Sequence, residues 1–148
     1  MTLVFAATPE EAALVTAWMV ERIPHMGGGD FGPAVVAGVV RDGELAAGVA
    51  FHDWQEAART LQVSIAGEGA WATRGVFRAL FHYAFATAGA EKLWCHMRHD
   101  RPDVLKFNKR LGFRREATLR HHLGRGVHAV VASMMRNEWR KSPWYWEA

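Results

Sequence analysis

The chain has 148 residues, of which 50% are hydrophobic, 22% charged and 11% aromatic. A chain of this length folds as one domain, residues 1–148, without metal or disulfide staples. Its one cysteine, Cys95, excludes a disulfide framework and a multi-cysteine zinc site. No apolar run approaches the ~18 residues of a membrane span, and residues 1–20 lack the basic start of a signal peptide, so a cytoplasmic protein with no membrane partner is expected.

The net charge of +3 hides an asymmetry. Residues 1–74 hold four arginines and nine carboxylates, whereas residues 75–148 hold fourteen lysines and arginines and six carboxylates. Nine of those bases fall within 98–125. A basic half of this kind suits an anion: a phosphorylated cofactor, a nucleic acid or an acidic partner.

Residues 2–7 are mostly apolar and read as a strand. Thr8-Pro9-Glu10-Glu11 supplies a hydroxyl N-cap, a proline at the first helical position and acids in the first turn, so a helix begins there. Leu14, Val15, Trp18 and Met19 follow at helical spacing, and Pro24 stops the helix. Residues 25–33, with Gly27-Gly28-Gly29, read as a flexible loop. Strands at 34–41 and 44–53 flank Asp42-Gly43, a strong hairpin signal. A further strand, 59–66, ends at Gly67-Glu68-Gly69. The helix expected over 73–87 has an apolar stripe of Phe77, Leu80, Phe81, Ala84 and Ala88, with Arg74, Arg78 and His82 on another face. Strand 92–98 leads to a short helix, 102–110, capped by Asp100 and left through Gly112. Strands 114–122 and 127–136 follow, and the tail 137–148 gathers Trp139, Trp144, Tyr145 and Trp146. The order β-α-β-β-β-α-β-α-β-β predicts an α/β (α+β) domain with a mixed sheet.

The segment from Leu61-Gln62-Val63-Ser64-Ile65 through Ala70-Trp71-Ala72-Thr73-Arg74-Gly75 turns from a strand into a helix. Such a turn directs backbone N–H groups and the positive end of a helix dipole at one point, which suits phosphate. Arg74 in the first turn adds a charge-assisted contact.

With Val63-Ser64-Ile65 before that turn and Leu111-Gly112-Phe113 after the next strand and helix, the chain resembles the GNAT superfamily of acetyl-coenzyme-A-dependent N-acetyltransferases. It is similar in particular to small bacterial and phage members related to the ribosomal-protein N-terminal acetyltransferases, over essentially its whole length. The resemblance implies a mixed, V-shaped sheet whose strands 59–66 and 92–98 splay to admit acetyl-CoA. It implies phosphate contacts from Thr73, Arg74, Gly75 and Arg101, with Arg110 beside them, and places Phe107 along the cofactor's arm; Trp71, just before the loop, either walls the cofactor channel or packs at the strand end. The family loop Gln/Arg-x-x-Gly-x-Gly/Ala becomes Ala70, Thr73 and Gly75 here, so only Gly75 agrees. Arg101 stands where members often have Asn, and Asn108 where many have the Tyr that protonates the leaving thiolate. A neutral amide does not supply that proton.

By the same resemblance, an amine on a small molecule or a peptide N-terminus attacks the thioester directly. A backbone N–H in the segment Ser64-Ile65-Ala66 polarises the carbonyl. The strand offers Gln62 and Ser64 in place of a carboxylate, and His52 on the preceding strand is the candidate base, imidazole being the side chain suited to proton transfer near neutrality. Glu68, the nearest carboxylate, falls in the loop.

Cys95 and His96 are strand neighbours on opposite faces and form no nucleophile–base pair, so Cys95 reads as a buried inert thiol. His96, His99, His121, His122 and His128 lack the spacing of a metal motif, and no metal is expected. The tail aromatics either fold back on the domain or build a homodimer contact. Two other functions remain: a catalytically silent member of the fold that binds coenzyme A or a protein, and a nucleic-acid-binding module using 98–125. The aromatics are not interleaved with the bases as a stacking platform requires, which counts against nucleic acid.

Overall fold

The structure is a computed structural model that describes residues 1–26 and 29–147. The chain runs β1 (Leu3–Phe5), α1 (Pro9–Arg22), β2 (Ala34–Arg41), β3 (Glu44–Gln55), β4 (Thr60–Gly67), α2 (Arg74–His82), β5 (Lys92–Arg98), α3 (Pro102–Leu111), β6 (Arg114–Gly124), β7 (Val127–Met135) and α4 (Arg136–Arg140). The order read from the sequence is therefore present, with α4 added where the last strand was expected to reach Arg136. A 3-10 turn, Pro24–Met26, opens the expected glycine loop, whose Gly27 and Gly28 lie outside the described residues. The helix expected over 73–87 forms as α2 followed by a π-helical turn, Tyr83–Thr87.

One sheet holds all seven strands in the order β1-β2-β3-β4-β5-β7-β6. Among the described residues only β4 and β5 run parallel, and their register covers Thr60 to Gln62 opposite Lys92 to Trp94. β5 continues paired with β7 as far as Arg98, while β4 stays paired with β3 as far as Gly67. Beyond Gln62 and Trp94 the two middle strands thus part, each held by its outer neighbour. This is the expected V.

Helices cover both faces. On one, α1 starts where Thr8 Oγ1 accepts from Glu11 N–H and Glu11 Oε2 accepts from Ala7 N–H, two donors satisfied reciprocally. Its Val15 and Met19 pack with Val36, Ala50 and Ala66. Gly48 lets α1 lie this close, because a Cβ there would collide with the Met19 side chain. On the other face, Phe77, Leu80 and Phe81 of α2 join Leu61, Val63, Leu93, Cys95 and Met97 in the larger core. The two clusters sort the residues of β4: Leu61 and Val63 face α2, and Ala66 faces α1, as strand alternation requires.

Asp100 does not cap α3. Its carboxylate is held by Arg98 through two hydrogen bonds of 2.9 Å, and the N-cap position falls on Arg101, which makes no side-chain cap. The Arg98 guanidinium pulls the Asp100 carboxyl down to about 2. Gly112 does close the helix, in the left-handed conformation at φ 108°.

The aromatic tail folds back. Trp144 packs on Phe77 at 5.5 Å and donates its indole N–H to Leu111 O at 2.8 Å, bridging α2 and α3. Trp146 stacks on His82 at 4.3 Å with Arg78 beside it. Arg74, Arg78 and His82, the polar stripe of the sequence, are together the seat of this tail.

Candidate active site

His52 lies near the end of β3, 7% exposed, with the Phe31 ring 5.1 Å away. Regular strand geometry would send the next side chain, Asp53, to the opposite face. A bulge between His52 and Gln55 breaks that alternation, and Asp53 takes a left-handed backbone at φ 55°. Aspartate tolerates that region better than most residues, for which it costs about 1–2 kcal/mol. The outcome is a contact between sequence neighbours: His52 Nδ1 lies 2.5 Å from Asp53 Oδ2.

The other ring nitrogen, Nε2, lies 2.8 Å from Ser64 Oγ on β4. A carboxylate only accepts, so Nδ1 carries the proton and donates it to Asp53. In the neutral ring Nε2 then has a free lone pair and accepts from the Ser64 hydroxyl. Asp53, His52 and Ser64 form one line of proton donors and acceptors.

Ser64 stands beyond the last residue of β4 paired with β5, at the mouth of the V. Glu68 N–H bonds to Ala46 O, and the antiparallel register carries that phase back along β4. Ser64 and Ala66 therefore turn their peptide groups toward β3, and Ile65 turns its own toward the gap beside β5. Within the expected segment Ser64-Ile65-Ala66, the amide available to a ligand in the V is that of Ile65.

A cleft of about 640 Å³ opens here, and runs from Phe31, His52 and Ser64 past His96 to Asn108 of α3. Of its two carboxylates among the described residues, Asp53 meets His52, while the exposed Asp30 accepts only Gly32 N–H, at 2.9 Å. Its arginines are also paired, Arg22 with Glu68 at 2.8 Å, Arg98 with Asp100, and Arg101 with Asp103 at 3.0 Å. His25 and His96 approach to 5.6 Å, and among the described residues neither Nδ1 has a hydrogen-bond partner. Burial, with His25 and His122 adding like charge, pushes His96 down to about 4. Burial pushes the Cys95 thiol up to about 12, an inert group as its strand position implied.

Asn108, where the sequence resemblance expects a tyrosine, turns its side chain to neighbours within the domain. Nδ2 donates to Val104 O at 3.0 Å and lies 3.1 Å from Met97 Sδ, while Oδ1 faces the Cys95 thiol at 3.9 Å.

The remaining sequence candidates divide between two places. Thr73 caps α2, its Oγ1 accepting from Val76 N–H at 3.3 Å, and Gly75 is exposed beside it. Arg74 is exposed but bonded to Pro143 O. Trp71, 8% exposed, lies against Gly67 and packs on Phe77 and Phe107 at 5.6 and 5.9 Å. These aromatics belong to the larger core or pack against it, and none of them lines the cleft. Arg101 lines the cleft, whereas Arg110 is exposed on α3 and Ala66 is buried under α1. Glu68 is ion-paired with Arg22 and does not line the cleft. Asp53 escaped the sequence reading because a neighbour on a strand does not ordinarily meet the preceding side chain. His25 escaped it because nothing in the sequence links the first loop to β5.

Among the described residues no group of three or more metal-ligating side chains stands together, and no helix is long and apolar enough to cross a membrane. The open Ile65 amide, the capped start of α2 and the cleft between the parted strands fit an acyl-thioester carrier of the coenzyme A type.

No family model and no curated protein matches the sequence. Solved structures do match. A probable acetyltransferase superposes with TM-score 0.62 at 21% identity, over 72% of this chain and 63% of that one. A GCN5-related N-acetyltransferase from Brucella melitensis gives 0.62 at 21% identity, over 72% and 52%. Mutant forms of the spermidine/spermine N-acetyltransferase SpeG from Vibrio cholerae give 0.71 at 13% identity, over 95% and 98%. The chain thus spans less than two thirds of the first two structures and nearly all of the third. Its fold is that of the GNAT acetyltransferases.

Proposed function

We propose that this chain is an N-acetyltransferase that moves an acetyl group from acetyl-CoA to a primary amine by direct attack. The observation that carries the reading is the alignment of Asp53, His52 and Ser64 at the point where β4 and β5 separate. An ammonium ion must lose a proton before it attacks, and Ser64 Oγ passes that proton to His52 Nε2. Asp53 holds the imidazole in the required tautomer and stabilises the imidazolium that results. The Ile65 N–H faces the gap and is the donor to the carbonyl oxygen as it gains charge.

Acetyl-CoA supplies the activated acyl group. Thr73, Arg74 and Gly75 at the start of α2 are the residues assigned to its diphosphate. Ala66, Trp71, Phe107 and Arg110 are not assigned a contact. Asn108 cannot protonate the departing sulfur, so that proton comes from the His52 imidazolium or from solvent. The acceptor proposed is a primary amine on a small molecule or a peptide N-terminus, and the exposed Asp30 carboxylate at the rim of the cleft is the group that would attract its charge.

Asn108 also supports a second reading, a silent coenzyme A binder. Calorimetric titration with acetyl-CoA, followed by thiol release across a panel of amines, decides between them. Binding with release supports the enzyme, and binding without release supports the silent protein. No binding at millimolar acetyl-CoA overturns both.

A further inference from the structure

The relay at the mouth of the V has the polarity that activates a hydroxyl as a nucleophile. His52 Nδ1 donates to Asp53, and Nε2 accepts from Ser64, at 2.5 and 2.8 Å. A proton conduit to an amine requires only that Nε2 reach the amine. Here Nε2 is committed to a serine, so the hydroxyl stands between the base and anything in the cleft. The ring is 7% exposed under Phe31, which keeps water from competing for Nε2. Ser64 itself is half-buried and lines the cleft.

The second requirement of an acyl-transferring serine is a donor for the carbonyl oxygen. The amide of the residue that follows the nucleophile commonly serves. That residue is Ile65, whose N–H faces the gap by the register of β4. Nucleophile, base and orienting carboxylate thus meet on two adjacent strands rather than on a strand–helix elbow, and the next amide along β4 opens toward the gap.

We propose that Ser64 is itself acylated, and that the cleft hydrolyses activated acyl esters and thioesters through an acyl-Ser64 ester when no amine is present. The inference builds on the acyl-transfer reading of the site. Ser64 Oγ attacks the acyl carbonyl while its proton passes to His52 Nε2. The bond from the carbonyl carbon to the leaving oxygen or sulfur breaks, and the leaving group takes that proton from His52. Water then attacks acyl-Ser64 and gives a proton to His52, which returns it to Ser64 Oγ as the ester breaks. The products are a carboxylic acid and the free alcohol, phenol or thiol, with one water consumed.

The test uses the full chain and p-nitrophenyl acetate, an activated ester that needs no coenzyme A site. p-Nitrophenolate release is followed by absorbance, and acid-quenched protein is digested and mapped by mass spectrometry. The expected result is a single acetyl group on the peptide containing Ser64, with release slowed roughly 100-fold in His52→Ala. Ser64→Ala should abolish the adduct, and Ser64→Cys should restore it as a hydroxylamine-labile thioester. Circular dichroism establishes that each variant is folded before it is scored. Acetylation of His52 or a lysine instead of Ser64, wild-type release by Ser64→Ala, or no adduct on the folded wild-type chain overturns the proposal. Failure here with acetyl-CoA binding intact removes the nucleophile and leaves the transferase. Labelling of Ser64 without acetyl-CoA binding does the reverse.

Discussion

Arg74 reaches across 69 positions of sequence to donate a hydrogen bond to the carbonyl oxygen of Pro143 at 3.1 Å. The residue assigned to a phosphate therefore also fastens the tail. A guanidinium has five donors, so one bond to Pro143 leaves others for an anion. Arg74→Ala is expected to weaken acetyl-CoA binding about tenfold, the loss of one charge-assisted hydrogen bond. Calorimetry measures it, and unchanged affinity takes Arg74 out of the phosphate site.

Trp144 bridges α2 and α3 through ring packing and its bond to Leu111 O. Trp144→Ala should lower the unfolding free energy by roughly 2–3 kcal/mol, somewhat under the range for a fully buried aromatic. Urea denaturation followed by fluorescence reads the change. A midpoint equal to wild type would mean that the tail is not seated on the domain in solution.

Asp53→Asn separates orientation from stability. Asparagine also tolerates the left-handed backbone, so the thermal midpoint should stay close to wild type. Without the carboxylate the imidazole loses its fixed tautomer, and kcat should fall roughly 100-fold with KM little changed. A large drop in Tm with kcat unchanged would assign Asp53 to the fold alone.

His96 gives the protein an acid limit. Its folded value, pushed down to about 4 by burial and by His25 and His122, lies below the ordinary 6.5. Below 6.5 the unfolded chain takes up the proton first, so the stability that the neutral ring contributes is complete above about 6.5 and declines as pH falls toward 4. Urea midpoints across that interval should drop, and His96→Gln should flatten the slope. A slope identical in the variant would place the acid sensitivity elsewhere.

Local chemistry made most of the fold legible. Thr8-Pro9 and Asp42-Gly43 specify a helix start and a hairpin turn from a few residues each, and both form. Asp100 misled because a cap and an ion pair compete for one carboxylate, and Arg98 two residues earlier offers two hydrogen bonds at once. In the site, His52 and Ser64 stood out as the polar residues on strands flanking the expected splay. Their mutual contact was not legible, because it depends on the β3–β4 register. Asp53 was hidden for a stronger reason: its orientation follows from a backbone irregularity that no residue type announces.

That irregularity makes the chemistry of the cleft sensitive to spacing as well as to composition. Removing one residue between Asp53 and Thr60 would let β3 regain its regular pleat, and Asp53 would swing to the opposite face of the sheet. Every side chain of the relay would still be present in the sequence, but its carboxylate would no longer touch the imidazole. A homologue that keeps the histidine, serine and aspartate yet has a shorter β3–β4 connection should therefore fold normally and lack the relay.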